Sequence, residues 1–106
     1  MTPKEQIFLS FLLSRRMEQR LDIFRHLSPH ELKLLVEIIL NVVHGVIAIS
    51  SKDYNKLDKN KTSIRKVIQR GLARNTKSRY LLKINHLLPL FVKAYLEHEQ
   101  GNDTSL

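Results

Sequence analysis

The side chains able to do chemistry in this chain of 106 residues are five histidines, ten carboxylates and eighteen lysines and arginines. The histidines are His26, His30, His44, His86 and His98. His26 and His30 are four apart, but Ser28 and Pro29 place a helix boundary between them, and a metal site needs both on one face with a third ligand. No metal site is expected. Carboxylate pairs at active-site spacing are missing, and Glu97 and Glu99 fall near the end of the chain. Neither a glycine-rich phosphate loop nor a Gly-x-Ser-x-Gly elbow occurs. The sequence therefore reads as a non-enzyme, with no cofactor.

The cations are the exception. Lys52, Lys56, Lys59, Lys66, Arg70 and Arg74 follow one another by steps of four, three, seven, four and four residues. On a single helix those steps keep all six within about 80° of one another. The stripe would run roughly 33 Å at 1.5 Å per residue, about one turn of a duplex. Tyr54, Leu57, Ile64, Val67, Ile68 and Leu72 fall on the opposite side. Lys77, Arg79 and Lys83 extend the positive run. Residues 52–83 hold eleven cations against Asp53 and Asp58, a net of +9, while the whole chain carries +8. The field is therefore local, and it suits a polyanion.

Lysine and arginine neutralise phosphates and release counterions, which yields salt-dependent affinity without reading sequence. The stripe is lysine-rich, which favours point-charge contacts over bidentate base reading. Only Tyr54 and Tyr80 lie near it, too few for a platform that stacks single-stranded bases. The plain alternative is a solvated face, but such faces usually mix signs. The expected function is thus sequence-independent binding of a nucleic-acid duplex, with Lys52, Lys56, Lys59, Lys66, Arg70 and Arg74 as contacts and Lys77, Arg79 and Lys83 as support. Double-stranded RNA is placed slightly ahead of DNA, because nothing reads a major groove. From another class, the same surface would suit a helical module that binds an acidic protein. A peripheral membrane role is weaker, because the apolar side of the basic segment is narrow and lacks Phe and Trp.

Positioning these cations requires helices. Three glycines and three prolines argue for few loops. Thr2-Pro3 with Glu5 is a capping box with proline at the first helical position, and a first helix is expected over residues 3–26. Its arginines Arg15, Arg16, Arg20 and Arg25 read as a solvated face. Ser28-Pro29 with Glu31 repeats the signal for a second helix, apolar nearly all round and expected to be the most buried. Gly45 is its expected C-terminal break, and 46–49 is either an extended link or a further turn. A third helix is expected over 51–74, with Gly71 on its apolar side. Asn75 or Thr76 would cap a fourth, kinked or restarted at Pro89. The expectation is an all-α bundle or array of about four helices, as one domain over 1–98 with a disordered tail over 99–106. Generous apolar surface on the first and last helices suggests a homodimer.

There is no cysteine, and Arg15 and Arg16 follow the early apolar run where a secretory cleavage site would stand. A cytoplasmic or nuclear location is expected rather than secretion. The longest apolar stretch, 34–49, contains Glu37, Asn41 and His44, and is too short and polar to span a bilayer.

The run LVEIILNVVHGVIAIS at 35–50, followed by the Lys/Arg-rich segment, the basic stretch 77–83 and the leucine-rich 87–90, resembles a small basic helical protein encoded by Polinton (Maverick) elements and adintoviruses. The resemblance covers residues 30–92. Where that family has a Gly-Gly pair this chain has Asn85-His86. The resemblance implies a viral or mobile-element protein and assigns no catalytic or binding residue. In that setting, shielding double-stranded RNA from host silencing and packaging DNA are the two roles expected of a basic duplex binder.

Overall fold

The computed structural model describes the backbone of residues 2–104 and the side chains of residues 2–101. It is all-helical, with no strand among the described residues. Among the described residues seven α-helices take the place of the expected four: α1 (Pro3–Ser14), α2 (Met17–Arg25), α3 (Pro29–Val43), α4 (Ser51–Asp58), α5 (Lys61–Ile68), α6 (Arg74–Lys83) and α7 (Leu88–Thr104). A 3₁₀ turn, Asn85–Leu87, joins the last two.

The starts follow local chemistry. Thr2 and Glu5 form a reciprocal capping box on α1, and Ser28 and Glu31 do the same on α3. Pro3 and Pro29 sit where the helix has no use for their missing N–H. The Ser50 hydroxyl accepts the Asp53 N–H at the start of α4. Gly45 ends α3 with φ +78, a left-handed conformation that favours glycine. Residues 46–49 form a non-helical link in which the Val46 and Ile47 N–H groups both donate to the Asn41 carbonyl, at 2.9 and 3.1 Å, and Ile47 is buried.

Two expected helices are each broken, and by one mechanism. In α1 the Ser14 hydroxyl donates to the Phe11 carbonyl at 2.8 Å, and the Arg15 N–H turns instead to Leu12. At the end of α4 the Asn60 side-chain amide donates to the Lys56 carbonyl at 3.0 Å, and the Asn60 N–H turns to Leu57. In both places a short polar side chain takes a carbonyl that would have carried the helix onward, and the backbone tightens and stops. Gln19 then accepts the Arg16 N–H and restarts the chain as α2. The segment 51–74 is consequently not one helix. It is α4, α5 and a turn in which Gly71 has φ +84, so Gly71 serves the turn and not an apolar helix side. The cap of α6 is Ala73, not Asn75 or Thr76.

Leu9, Leu12, Phe24, Leu35, Ile38, Ile39, Val42, Leu57, Val67, Leu81, Leu88 and Phe91 belong to one core, to which every α-helix contributes. α3 supplies the most buried side chains, as expected of an apolar helix. It packs against α5 and α7, while α5 and α6 pack closely on each other. Pro89 lies in the first turn of α7, so the fourth expected helix restarts there. The backbone of α7 continues helical to Thr104, into the stretch 99–106 expected as a tail; residues 105 and 106 lie outside the described residues.

One charged group does not behave as its neighbours suggest. The sequence groups Arg20 with Arg15, Arg16 and Arg25 on a solvated face, yet it is 7 % exposed. Its Nε donates to Asn85 Oδ1 at 2.8 Å and a terminal nitrogen donates to the Arg15 carbonyl at 2.6 Å. Asn85, 2 % exposed, donates its amide to the Met17 carbonyl at 3.0 Å. The pair ties the α1–α2 break to the 3₁₀ turn before α7. Burial draws the Arg20 guanidinium below its ordinary value, but it remains charged.

Candidate nucleic-acid interface

The nine expected contacts are spread over four pieces of chain. Lys52 and Lys56 are on α4, Lys59 is at its end, Lys66 is on α5, and Arg70 is in the turn. Arg74, Lys77, Arg79 and Lys83 are on α6. Lys52, Lys56, Lys59, Arg70, Arg74, Arg79 and Lys83 are exposed, while Lys66 and Lys77 are half-buried. The straight stripe of roughly 33 Å does not form, because Asn60 stops α4 and the turn around Gly71 stops α5. The apolar side survives the break: Leu57, Ile64 and Val67 are buried, and Ile68 and Leu72 half-buried, while Tyr54 is exposed.

Lys56 Nζ lies 3.7 Å from Asp53. Among the described residues no carboxylate lies within ion-pair distance of the other eight. Lys56 also borders a depression shared with Asp53, Lys93 and Glu97, where the signs are mixed. Lys83 Nζ sits 4.9 Å from the centre of the Tyr80 ring, which engages one of the two nearby aromatics.

What replaces the stripe is a gathering around the start of α6. One groove, about 420 Å³, lies between α2 and α6 and is bordered by Phe24, Arg25, Leu27, Arg74, Ser78 and Arg79. A second, about 250 Å³, lies beside α3 and is bordered by Leu32, Lys33, Val36, Leu72, Arg74 and Lys77. Among the described residues neither border contains a carboxylate, and Arg74 belongs to both. Arg25 and Lys33 are contributed by α2 and α3. The spacing of cations along one segment carried no signal for either, since they reach this place only through packing.

Two of the histidines make local contacts. The His26 Nδ1 bonds the Asp22 carbonyl at 3.0 Å, and His30 Nε2 lies 3.2 Å from Glu5. The Thr2 backbone N–H, with help from His30, holds the Glu5 carboxyl below the usual carboxylate range. Among the described residues no group of three or more potential ligands is placed to hold a metal ion, and no helix is long and apolar enough to cross a membrane. Compared with known protein families, curated proteins and solved structures, the chain matches none.

Proposed function

We propose that this protein binds a nucleic-acid duplex through its phosphates, without reading sequence, and that the contacts centre on α6 and the turn before it. The observation that carries the reading is the pair of grooves meeting at Arg74, bordered by cations and by no carboxylate. Among the described residues only Arg25 of these cations has a carboxylate within ion-pair distance, Asp22 at 3.9 Å, and the others are available to replace the counterions of a polyanion. Double-stranded RNA stays first and DNA second, because nothing reads a major groove; single strands are disfavoured because, of the two tyrosines near the cations, Tyr80 is half-buried under Lys83, leaving Tyr54. The molecule is 40 Å along its longest axis, so one copy would cover about one duplex turn.

A homodimer is part of the proposal. Ile7 and Phe11 lie one helical turn apart on α1 and are 72 % and 42 % exposed, a surface a second copy would cover. On the resemblance over residues 30–92 the activity would belong to a virus or mobile element, as a shield for double-stranded RNA or as a DNA-packaging protein.

The test is a gel shift titrated with salt, with matched double-stranded RNA, double-stranded DNA and single-stranded RNA. Duplex binding that weakens steeply with salt, and is abolished in a folded Arg74→Glu, Arg79→Glu variant, is the expected result. Absence of binding to every probe at low salt would refute the reading and favour an acidic protein partner.

A further inference from the structure

We infer that the anchoring point for the strand is a five-cation cluster, Arg25, Lys33, Arg74, Lys77 and Arg79, that grips consecutive phosphates on either side of Arg74; the inference rests on the duplex-binding reading above. Three helices build the cluster: α2 supplies Arg25, α3 supplies Lys33, and α6 supplies the remainder. The two grooves they border share Arg74, so a chain of phosphates passing from one groove to the other stays in contact with it. Along residues 51–74 lysine outnumbers arginine, but the α2–α6 groove collects Arg25, Arg74 and Arg79 and no lysine. Guanidinium forks match phosphate bidentately, where an ammonium acts as a point charge. Apolar side chains share the lining, with Leu27 and Leu82 beside Asn75 and Ser78 in the first groove and Val36 and Leu72 in the second.

Arg25 already has a neighbour: one of its terminal nitrogens lies 3.9 Å from Asp22, with both side chains mostly exposed. A contact so long and wet contributes little, and a phosphate can replace it. Lys33 has no carboxylate within ion-pair distance among the described residues.

The experiment compares Arg25→Gln, Lys33→Gln with a charge-matched control, Lys4→Gln, Lys93→Gln, whose side chains border neither groove. Affinity for a mixed-sequence double-stranded RNA and for a double-stranded DNA of the same sequence is measured over a range of salt, and folding is checked by circular dichroism and thermal unfolding. Each B-DNA phosphate that the protein no longer neutralises lowers the slope of log K against log salt by about 0.9. The cluster variant is expected to lose nearly two units of slope, and the control none. If the cluster variant keeps the wild-type slope while Arg74→Gln, Arg79→Gln loses it, the inference falls and the duplex-binding reading stands. If wild-type protein binds no duplex at low salt, the reading falls and takes the inference with it.

Discussion

Removing either member of the Arg20–Asn85 pair is expected to destabilise the protein by an amount surface substitutions do not reach. Arg20 makes two hydrogen bonds, at 2.8 Å to Asn85 and 2.6 Å to the Arg15 carbonyl. Bonds involving a charged group contribute about 1.5–3 kcal/mol each, and a buried group left without a partner costs about 1–3 kcal/mol. Against this stands the relief of taking a partly desolvated guanidinium out of the protein. The net expectation for Arg20→Ala is a loss of about 2–4 kcal/mol. Asn85→Ala should cost a similar amount, because it leaves the Arg20 Nε without its partner and also frees the Met17 carbonyl. In a domain of this size each kcal/mol moves the melting temperature by about 4–8 °C, so either variant should melt at least about 8 °C early. The decisive assay is a double-mutant cycle by urea unfolding. One bond is shared directly, so the coupling should be about 1–2 kcal/mol. Costs that add within about 0.5 kcal/mol would refute the pairing. An Arg20→Ala variant within about 0.5 kcal/mol of wild type would show that Arg20 is an ordinary surface cation after all.

Three further outcomes are expected. Gly71→Ala meets no neighbour within 4 Å but must hold φ +84, so urea unfolding should register a loss of about 1–2 kcal/mol from backbone strain alone. Glu5 titrates lower in the folded protein than in the unfolded chain; its contribution is present above the unfolded value, about 4.3, and is lost as the pH falls from there through the folded value. The protection of amides at the start of α1, corrected for the intrinsic exchange rate at each pH, should therefore fall over that window, and Glu5→Gln should flatten the response. Ile7→Asp with Phe11→Asp should convert a dimer to a folded monomer in sedimentation equilibrium; a monomeric wild-type protein would remove the dimer from the proposal.

The helix starts at Pro3, Pro29 and Ser51 could be read directly, because a cap is a contact between residues three positions apart and needs no partner from elsewhere. The same holds for the all-α class, for Gly45 ending α3, and for the burial of α3, whose apolar side chains nearly encircle it. The basic character of residues 52–83 is likewise a property of the chain.

The breaks are harder to see. Ser14 and Asn60 fit into a helix pattern as ordinary polar residues, and periodicity cannot tell whether such a side chain faces water or takes its own helix's carbonyl. Nor does sequence distance show that Arg20 will meet Asn85, sixty-five positions on. A cation looks solvated until the packing of α2 against the 3₁₀ turn removes the water. The candidate site divides along the same line. Composition determined that the protein is a polycation with its charge in one segment. A local side-chain bond at Asn60 and the turn at Gly71 cut the stripe into pieces, and tertiary structure alone brought Arg25 and Lys33, from other helices, to the grooves that Arg74 borders. Charge is additive along a chain and can be counted from it, whereas the direction in which each charge points is set by where the helices stop and how they pack.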